Sequence, residues 1–234
     1  MKTLKLSAAA LAAATLGAQS ASTDTERRVQ IFGEFSRPKQ VTIAQIPVGS
    51  GSAEVKDQAA AQTGIGIRFM GEIPGTSGWF YGFGGKFPTS SRLGLNQTVP
   101  GTSTTINATQ VTVQYSFWEI GGAYLWELGG GFSLGAHLDA RSETVDASGS
   151  LTVSSGGGSG TVSQRTSFLR PWIRLSADVA FGGSGFAPFL GADVAYAPIK
   201  ASQTNVVSPV MWDDRTLKFM APQFTASFYL GLRF

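Results

Sequence analysis

From Met220 to Phe234 the chain alternates without interruption: Met220, Pro222, Phe224, Ala226, Phe228, Leu230, Leu232 and Phe234 occupy one parity, while Gln223, Thr225, Ser227, Tyr229, Gly231 and Arg233 occupy the other. Successive side chains of a strand point to opposite faces, so this period of two makes a ribbon with one apolar face and one polar or small face. A helix, with its period of 3.6, would scatter the same residues around its circumference.

The rule recurs upstream. Phe132, Leu134, Ala136, Leu138 and Ala140 alternate with Ser133, Gly135, His137, Asp139 and Arg141. Leu169, Pro171, Ile173, Leu175, Ala177, Val179 and Phe181 alternate with Arg170, Trp172, Arg174, Ser176 and Asp178. Shorter runs set Ile65, Ile67 and Phe69 against Arg68 and Glu72, and Phe186, Pro188, Leu190, Ala192 and Val194 against Phe189 and Asp193. Eight strands are expected, over residues 29–37, 58–73, 79–88, 108–124, 131–147, 163–181, 186–197 and 216–234. One stretch breaks the rule, because Val111, Val113, Tyr115 and Phe117 share a parity with Glu119. A β-bulge near Trp118 and Glu119 is expected to turn the carboxylate inward and set Ile120, Gly122 and Tyr124 outward.

The connections alternate in length. Short pieces at Pro74–Gly78, Trp126–Gly130 and Gly182–Gly185 contrast with long polar ones at Lys39–Asp57, Thr89–Asn107, Ser148–Val162 and Pro198–Arg215. Short turns therefore fall at one end of the sheet and long loops at the other, and an even strand number returns both termini to the short-turn end.

What faces outward is decided by composition. Charged residues are 14% of the chain, against about a quarter in a typical soluble protein, so a strongly hydrated exterior is not available. No internal apolar run is long enough for a membrane-spanning helix. The N-terminal segment carries Lys2 and Lys5, an apolar stretch from Leu6 to Leu16, and small residues at Ala18, Ser20 and Ala21. It reads as a secretory signal peptide over 1–21, with cleavage within Ser20–Ser22 and residues 22–234 forming one domain. Its removal leaves 16 Lys plus Arg against 15 Asp plus Glu, so the basic pI does not argue for a nucleic-acid partner. Cysteine is absent, so the exported chain must be held by backbone pairing rather than disulfides.

A soluble lipocalin-like barrel is the structural rival. It would need a polar face covered in hydrated charge, whereas the polar parity here mixes Gly, Ser, Ala and Thr with isolated ions. Aromatic residues gather where strands meet short turns, at Trp79, Tyr124, Trp126, Phe132, Phe181, Phe186 and Phe234, as in an interfacial girdle. The expected fold is all-β, a single eight-stranded antiparallel up-and-down transmembrane barrel with the apolar parity facing lipid.

The terminal strand FTASFYLGLRF, ending in Phe234, resembles the insertion signature of bacterial outer-membrane proteins, and the eight-strand pattern is similar to small OmpA- and OmpX-type barrels and opacity-like porin families. The resemblance implies that Phe228, Leu230, Leu232 and Phe234 are read by the barrel-assembly machinery. It also implies residence in the outer membrane among lipid and lipopolysaccharide, with long loops extracellular and both mature termini periplasmic. No trailing peptidoglycan-binding domain is expected after Phe234.

If the parities hold, a charge network lines the lumen: Glu34, Arg68, Glu72, Lys86, Glu119, Asp139, Arg141, Glu143, Arg170, Arg174, Asp178, Asp193 and Arg233, with the lone His137 among them. An eight-stranded barrel is about wide enough for side chains to fill, and near-balanced signs let these ions pair. The expectation is a polar plug with little conductance, in a barrel that is structural or displays four loops to an extracellular ligand. The alternatives are a narrow porin-like channel and a lipid A-modifying enzyme. His137 shares a face with Ser133, Asp139 and Glu143, but that face points away from acyl chains, so it reads as a hydrogen-bonded interior histidine and no catalytic residue is assigned. No metal-ligand spacing and no cofactor motif is present, because GGGFSLG and SSGGGSG lack a Gly-Lys-Ser/Thr ending. Asn96 and Asn107 match N-x-Thr, and Trp212, Asp213 and Asp214 read as a solvated loop tip.

Overall fold

A computed structural model describes residues 25–36, 41–48, 51–57, 62–93, 96–98, 103, 105–154, 159–182, 186–206 and 216–234. Eight strands form the wall: β1 (Arg27–Ser36), β2 (Gln62–Glu72), β3 (Trp79–Arg92), β4 (Thr112–Gly129), β5 (Phe132–Val153), β6 (Ser159–Ala180), β7 (Ala187–Tyr196) and β8 (Phe224–Arg233). Each pairs antiparallel with its neighbours in sequence, and β1 pairs with β8 from Arg28↔Arg233 to Ser36↔Thr225, which closes the barrel. Closure pairs the strands around the whole circumference, so most backbone polar groups at the level of the band are satisfied within the wall.

The outward face carries large exposed apolar side chains on every strand, among them Ile31, Ile65, Phe83, Ile120, Leu138, Leu175, Leu190 and Leu230. A soluble protein does not expose a continuous apolar girdle of this kind, whereas hydrocarbon accepts it. At the short-turn end Trp79, Tyr124 and Trp126 stack edge to face at 5.2 and 4.8 Å.

The expected bulge at Trp118 and Glu119 is not formed. Pairing of β4 with β5 runs in one register from Thr112↔Ser148 to Glu127↔Ser133, with Val113, Tyr115, Phe117 and Glu119 all inward. Polarity inverts instead. Toward the short turns β4 presents Trp118, Ile120, Tyr124 and Trp126 outward; beyond Trp118 it presents Ser116, Gln114 and Thr112. On β5 the outward series passes from Leu138 and Ala140 to Ser142, Thr144 and Asp146, and on β6 from Leu169 to Ser167 and Arg165. Beyond this line the apolar parity turns inward, and Val113, Tyr115, Phe117, Val145, Ala147, Leu151 and Val162 form a buried cluster with Leu93, Ile106 and Phe219. Above the band the strands meet water, so the ordinary apolar-inside rule returns without any change of register.

Several expected loops are therefore sheet. β5 and β6 continue far past the apolar band as a tall hairpin, and residues Asn96–Thr98 and Thr105–Asn107 form a small one beside them. Ser202–Val206, Thr216–Met220, Val41–Val48 and Gly51–Asp57 make a separate four-stranded sheet. The expected terminal strand 216–234 is accordingly two elements. It breaks at Pro222, which is buried rather than outward, and whose carbonyl accepts from Arg170 at 2.8 Å. The Trp126–Gly130 turn is likewise tighter than expected: Trp126 and Glu127 still pair with Leu134 and Ser133, and Gly129, Gly130 and Gly131 reverse the chain at φ of 88°, 63° and 79°. That left-handed region favours glycine. Trp212, Asp213 and Asp214, and residues 183–185 of the expected Gly182–Gly185 turn, lie outside the described residues.

The wall contains an irregular seam. β2 pairs with β3 from Glu72↔Phe80 up to Gly66↔Lys86, and there β3 gains one extra residue between Lys86 and Thr89 relative to β4. Beyond it β3 stays with β4, and among the described residues no backbone pairing joins Gln62–Ile65 to β3. Pro88 lies in the bulge and has no N–H to donate. The Gln62 side chain spans the gap, its Nε2 donating to Ser91 Oγ at 2.9 Å and to the Val113 carbonyl at 3.4 Å.

Candidate functional site

The inward parity of all eight strands converges on the lumen, and it brings the charged side chains into one connected chain. Lys86 Nζ lies 3.2 Å from Glu34, Glu34 lies 3.5 Å from Arg141, and Arg141 Nε donates to Glu119 at 2.7 Å. Glu119 also accepts from Arg68, which reaches Asp193 at 2.7 Å. Asp193 is 3.9 Å from Arg174, which donates to Asp139 at 2.9 Å. Cations and anions alternate along this chain and all eight residues are buried. Alternation is the arrangement a low-dielectric interior requires, since each desolvated ion is flanked by opposite charge.

Aromatic rings complete the packing. Arg68 lies over Phe32 at 3.9 Å, Arg141 lies over Phe117 and Trp172 at 4.2 and 4.3 Å, and Lys86 lies over Tyr115 at 4.7 Å. Ring faces stabilise cations whose hydration has been removed. Phe32 fits because residue 66 is glycine: a Cβ there would lie 2.2 Å from the ring. These inward aromatics are not legible as lining from polarity, because their residue type matches the lipid face; the signal is their parity with Glu34, Glu119 and Arg174.

Two smaller clusters flank the chain. Toward the inverted end, Arg170 donates to Glu143 at 2.8 Å and to the carbonyls of Ile199 and Pro222 at 2.9 and 2.8 Å, while Trp172 Nε1 donates to Glu143 at 2.5 Å. Arg170 thus fastens the points where the chain leaves β7 and re-enters at β8. At the short-turn end Arg28 meets Asp178 at 3.2 Å and pairs with Glu26, and Asp178 also accepts from Ser133 at 2.7 Å and Tyr229 at 3.3 Å. Glu26 and Arg28 precede the expected first strand and are absent from the sequence-derived set; the parity of Gln30 and Glu34, extended by one repeat, identifies Arg28.

Glu72 and Arg233 stand at the mouth rather than in the chain. Glu72 accepts from the backbone N–H of Glu26 and Gly78, both at 3.2 Å, and Arg233 lies 3.5 Å from Glu127 and 3.9 Å from Glu26. His137 is buried in the lumen with Nε2 2.8 Å from Ser176 Oγ. A cavity of about 10 Å³, room for about one water, lies beside it among Arg68, Glu119, Asp139 and Arg174. No group of three metal-binding side chains occurs among the described residues. Phe228, Leu230, Leu232 and Phe234 all lie outward, and Phe234 is tied to Arg27 by two backbone hydrogen bonds of 2.8 and 3.0 Å.

A second feature sits on the outside of the unpaired seam. A hollow of about 750 Å³ is lined by Gly33, Phe35, Thr63, Ile65, Phe87 and Phe228, and it reaches Glu34, Gly64 and Thr89 through the gap between β2 and β3. Residue 33 is its floor, where a Cβ would meet nothing within 4 Å.

No protein-family model matches the sequence, and no curated protein matches it. Solved structures do match the fold. The chain is similar to the outer membrane protein OprG from Pseudomonas aeruginosa, with 11% identity over 92% of this chain and 98% of that one and a TM-score of 0.57. It is also similar to a major outer membrane protein from Thermus thermophilus, with 12% identity over 91% of this chain and 99% of that one and a TM-score of 0.50. The closed barrel, its outward apolar band and these likenesses define the class: the fold is that of the small bacterial outer-membrane β-barrels.

Proposed function

We propose that this protein is an outer-membrane barrel whose lumen is sealed to ions, and whose projecting β-structure is its working surface. In this reading residues 1–21 are the export signal, and residues 22–234 form the domain that lies among outer-membrane lipid and lipopolysaccharide. The tall β4–β6 wall and the four-stranded sheet are extracellular and present the surface for a ligand, the short turns and mature termini are periplasmic, and Phe228, Leu230, Leu232 and Phe234 engage the barrel-assembly machinery. The observation that carries the reading is the alternating chain from Lys86 to Asp139, whose members are buried and paired across the width of the barrel, with Lys86, Arg141 and Arg68 stacked on rings. An ion entering the lumen would have to displace one member and strand its partners, which is expensive in a low dielectric. Planar-bilayer recording of the folded protein tests it: a flat baseline is expected, and steady ion-selective steps would remove the reading in favour of a narrow porin.

A second reading is favoured by the seam between β2 and β3. A hollow open to the hydrocarbon side, floored by glycine and walled by Phe35, Ile65, Phe87 and Phe228, fits an apolar guest. On this reading the barrel exchanges apolar solutes through its side wall while remaining closed to ions. Gly33→Phe fills the hollow from its floor; reduced uptake of an apolar dye by proteoliposomes, with folding unchanged, supports the reading, and unaltered uptake removes it.

A further inference from the structure

One wall of the lumen carries polar atoms that the ion-pair chain does not use. They fall in two adjacent cross-strand rows on β7, β8, β1 and β2. In the first, Asp193 pairs with Ser227 and Ser227 with Glu34; in the second, Thr225 pairs with Ser36 and Ser36 with Gln62. All six side chains are buried. Asp193 Oδ1, Ser227 Oγ, Glu34 Oε2, Thr225 Oγ1, Ser36 Oγ and Gln62 Oε1 have no hydrogen-bond partner among the described residues. Two guanidinium groups of the chain add unused donors, Nη1 and Nη2 of Arg141 and Nη2 of Arg68. The Arg141–Glu34 contact shows the problem in one pair: at 3.5 Å it is an ion pair without hydrogen-bond alignment.

Buried polar groups are almost always satisfied, and an orphan costs roughly 1–3 kcal/mol. So many orphans on contiguous strands point to a guest. Its chemistry follows from theirs. Carboxylate and amide oxygens ask for a donor, guanidinium N–H groups ask for an acceptor, and the three hydroxyls can do either. A cation would serve only the first set and an anion only the second. We infer that the β7–β8–β1–β2 wall is a binding site for a cluster of ordered water molecules, which bridges the ion-pair chain to the hydroxyl rows. The second row ends at Gln62, whose Nε2 bridges the open seam to Ser91, so the site lies next to a stretch where the wall lacks backbone pairing among the described residues. Val145 and Ala147 pack elsewhere, in the apolar cluster beyond the band, where Tyr115 Oη and Gln203 Oε1 are further polar atoms without a partner among the described residues. The inference is independent of ion conduction, because a structural water cluster requires no continuous file through the barrel.

The test is water-edited solid-state NMR on the full protein in lipid bilayers. Magnetisation from water is expected to reach Thr225, Ser227 and Ser36 several-fold faster than Leu138 and Ile173, which lie outward in the apolar band; build-up at the rate of those two residues overturns the site. A second measurement uses Thr225→Val, which keeps the volume and removes only the hydroxyl. If water bridges it, the folding equilibrium constant falls about tenfold, whereas an unsatisfied hydroxyl would make the same swap neutral or stabilising. A variant as stable as the parent or more so overturns the inference, and bilayer recordings on the same samples report separately on the sealed lumen.

Discussion

Arg141 and Glu119 are directly opposed across the β4–β5 ladder, and their side chains meet inside the barrel at 2.7 Å. The same carboxylate accepts from Arg68 of β2, so Glu119 is the point where two arginines from different strands are held together in the middle of the chain of charges. Glu119→Ala leaves those two guanidinium groups buried with one anion fewer. The expected loss is about 3–5 kcal/mol, read from urea titrations of the protein folded in lipid vesicles. A double-mutant cycle with Arg141→Ala is expected to give a coupling of at least about 1 kcal/mol; additive losses would show that the contact is not energetically coupled.

The inversion of polarity along β5 gives a sharper test, because it predicts opposite outcomes for one substitution on one face of one strand. Leu138 and Thr144 both point outward, but Leu138 lies in the apolar band and Thr144 beyond its edge. Leu138→Arg is expected to destabilise by about 2–4 kcal/mol. Thr144→Arg is expected to change stability by less than about 0.5 kcal/mol, as for an ordinary surface site. Equal effects on the two variants in vesicle-based unfolding would place the membrane boundary elsewhere.

Those two residues also show how far the sequence could be read. Strand number and order follow from parity and the spacing of the turns, and the outward facing of Leu138, Ile173 and Phe228 from parity taken with the scarcity of charge. The end of the band does not. Val113, Tyr115 and Phe117 look like lipid-facing residues because parity says which side chains share a face, but not which solvent that face meets; a bulge resolves the conflict on the sequence alone, whereas the strand simply leaves the hydrocarbon. The pairings were legible only as a list of inward charges. That Arg68 reaches across to Asp193, and that Glu119 joins Arg68 to Arg141, depends on barrel curvature and on Gly66 yielding its place to Phe32, neither of which a single strand encodes.

His137 supplies a test of the enzymatic alternative. Its ring is enclosed in the lumen against Ser176, with no opening toward the acyl chains outside among its described contacts. The expected result is that lipid A from cells expressing His137→Ala matches, by mass spectrometry, that from cells expressing the parent, and that both match cells lacking the gene. A change in acylation that appears with the parent and disappears with His137→Ala would assign a reaction to this residue.

The terminal phenylalanine separates assembly from stability. Phe234 projects outward, about half exposed, and its backbone, not its ring, makes the two hydrogen bonds to Arg27 that close the β1–β8 seam at the short-turn end. Removing the ring therefore leaves the closing bonds in place and takes only a small apolar contact with lipid from the folded barrel. If the ring is read during insertion, Phe234→Ala slows assembly by several-fold in cells, seen as unfolded precursor on heat-modifiability gels, while the protein that does fold unfolds at nearly the parent urea concentration. A variant that assembles at the parent rate would mean that the outward residues of β8 carry no insertion signal at this position, and a variant that assembles normally but melts early would assign the ring a packing role instead.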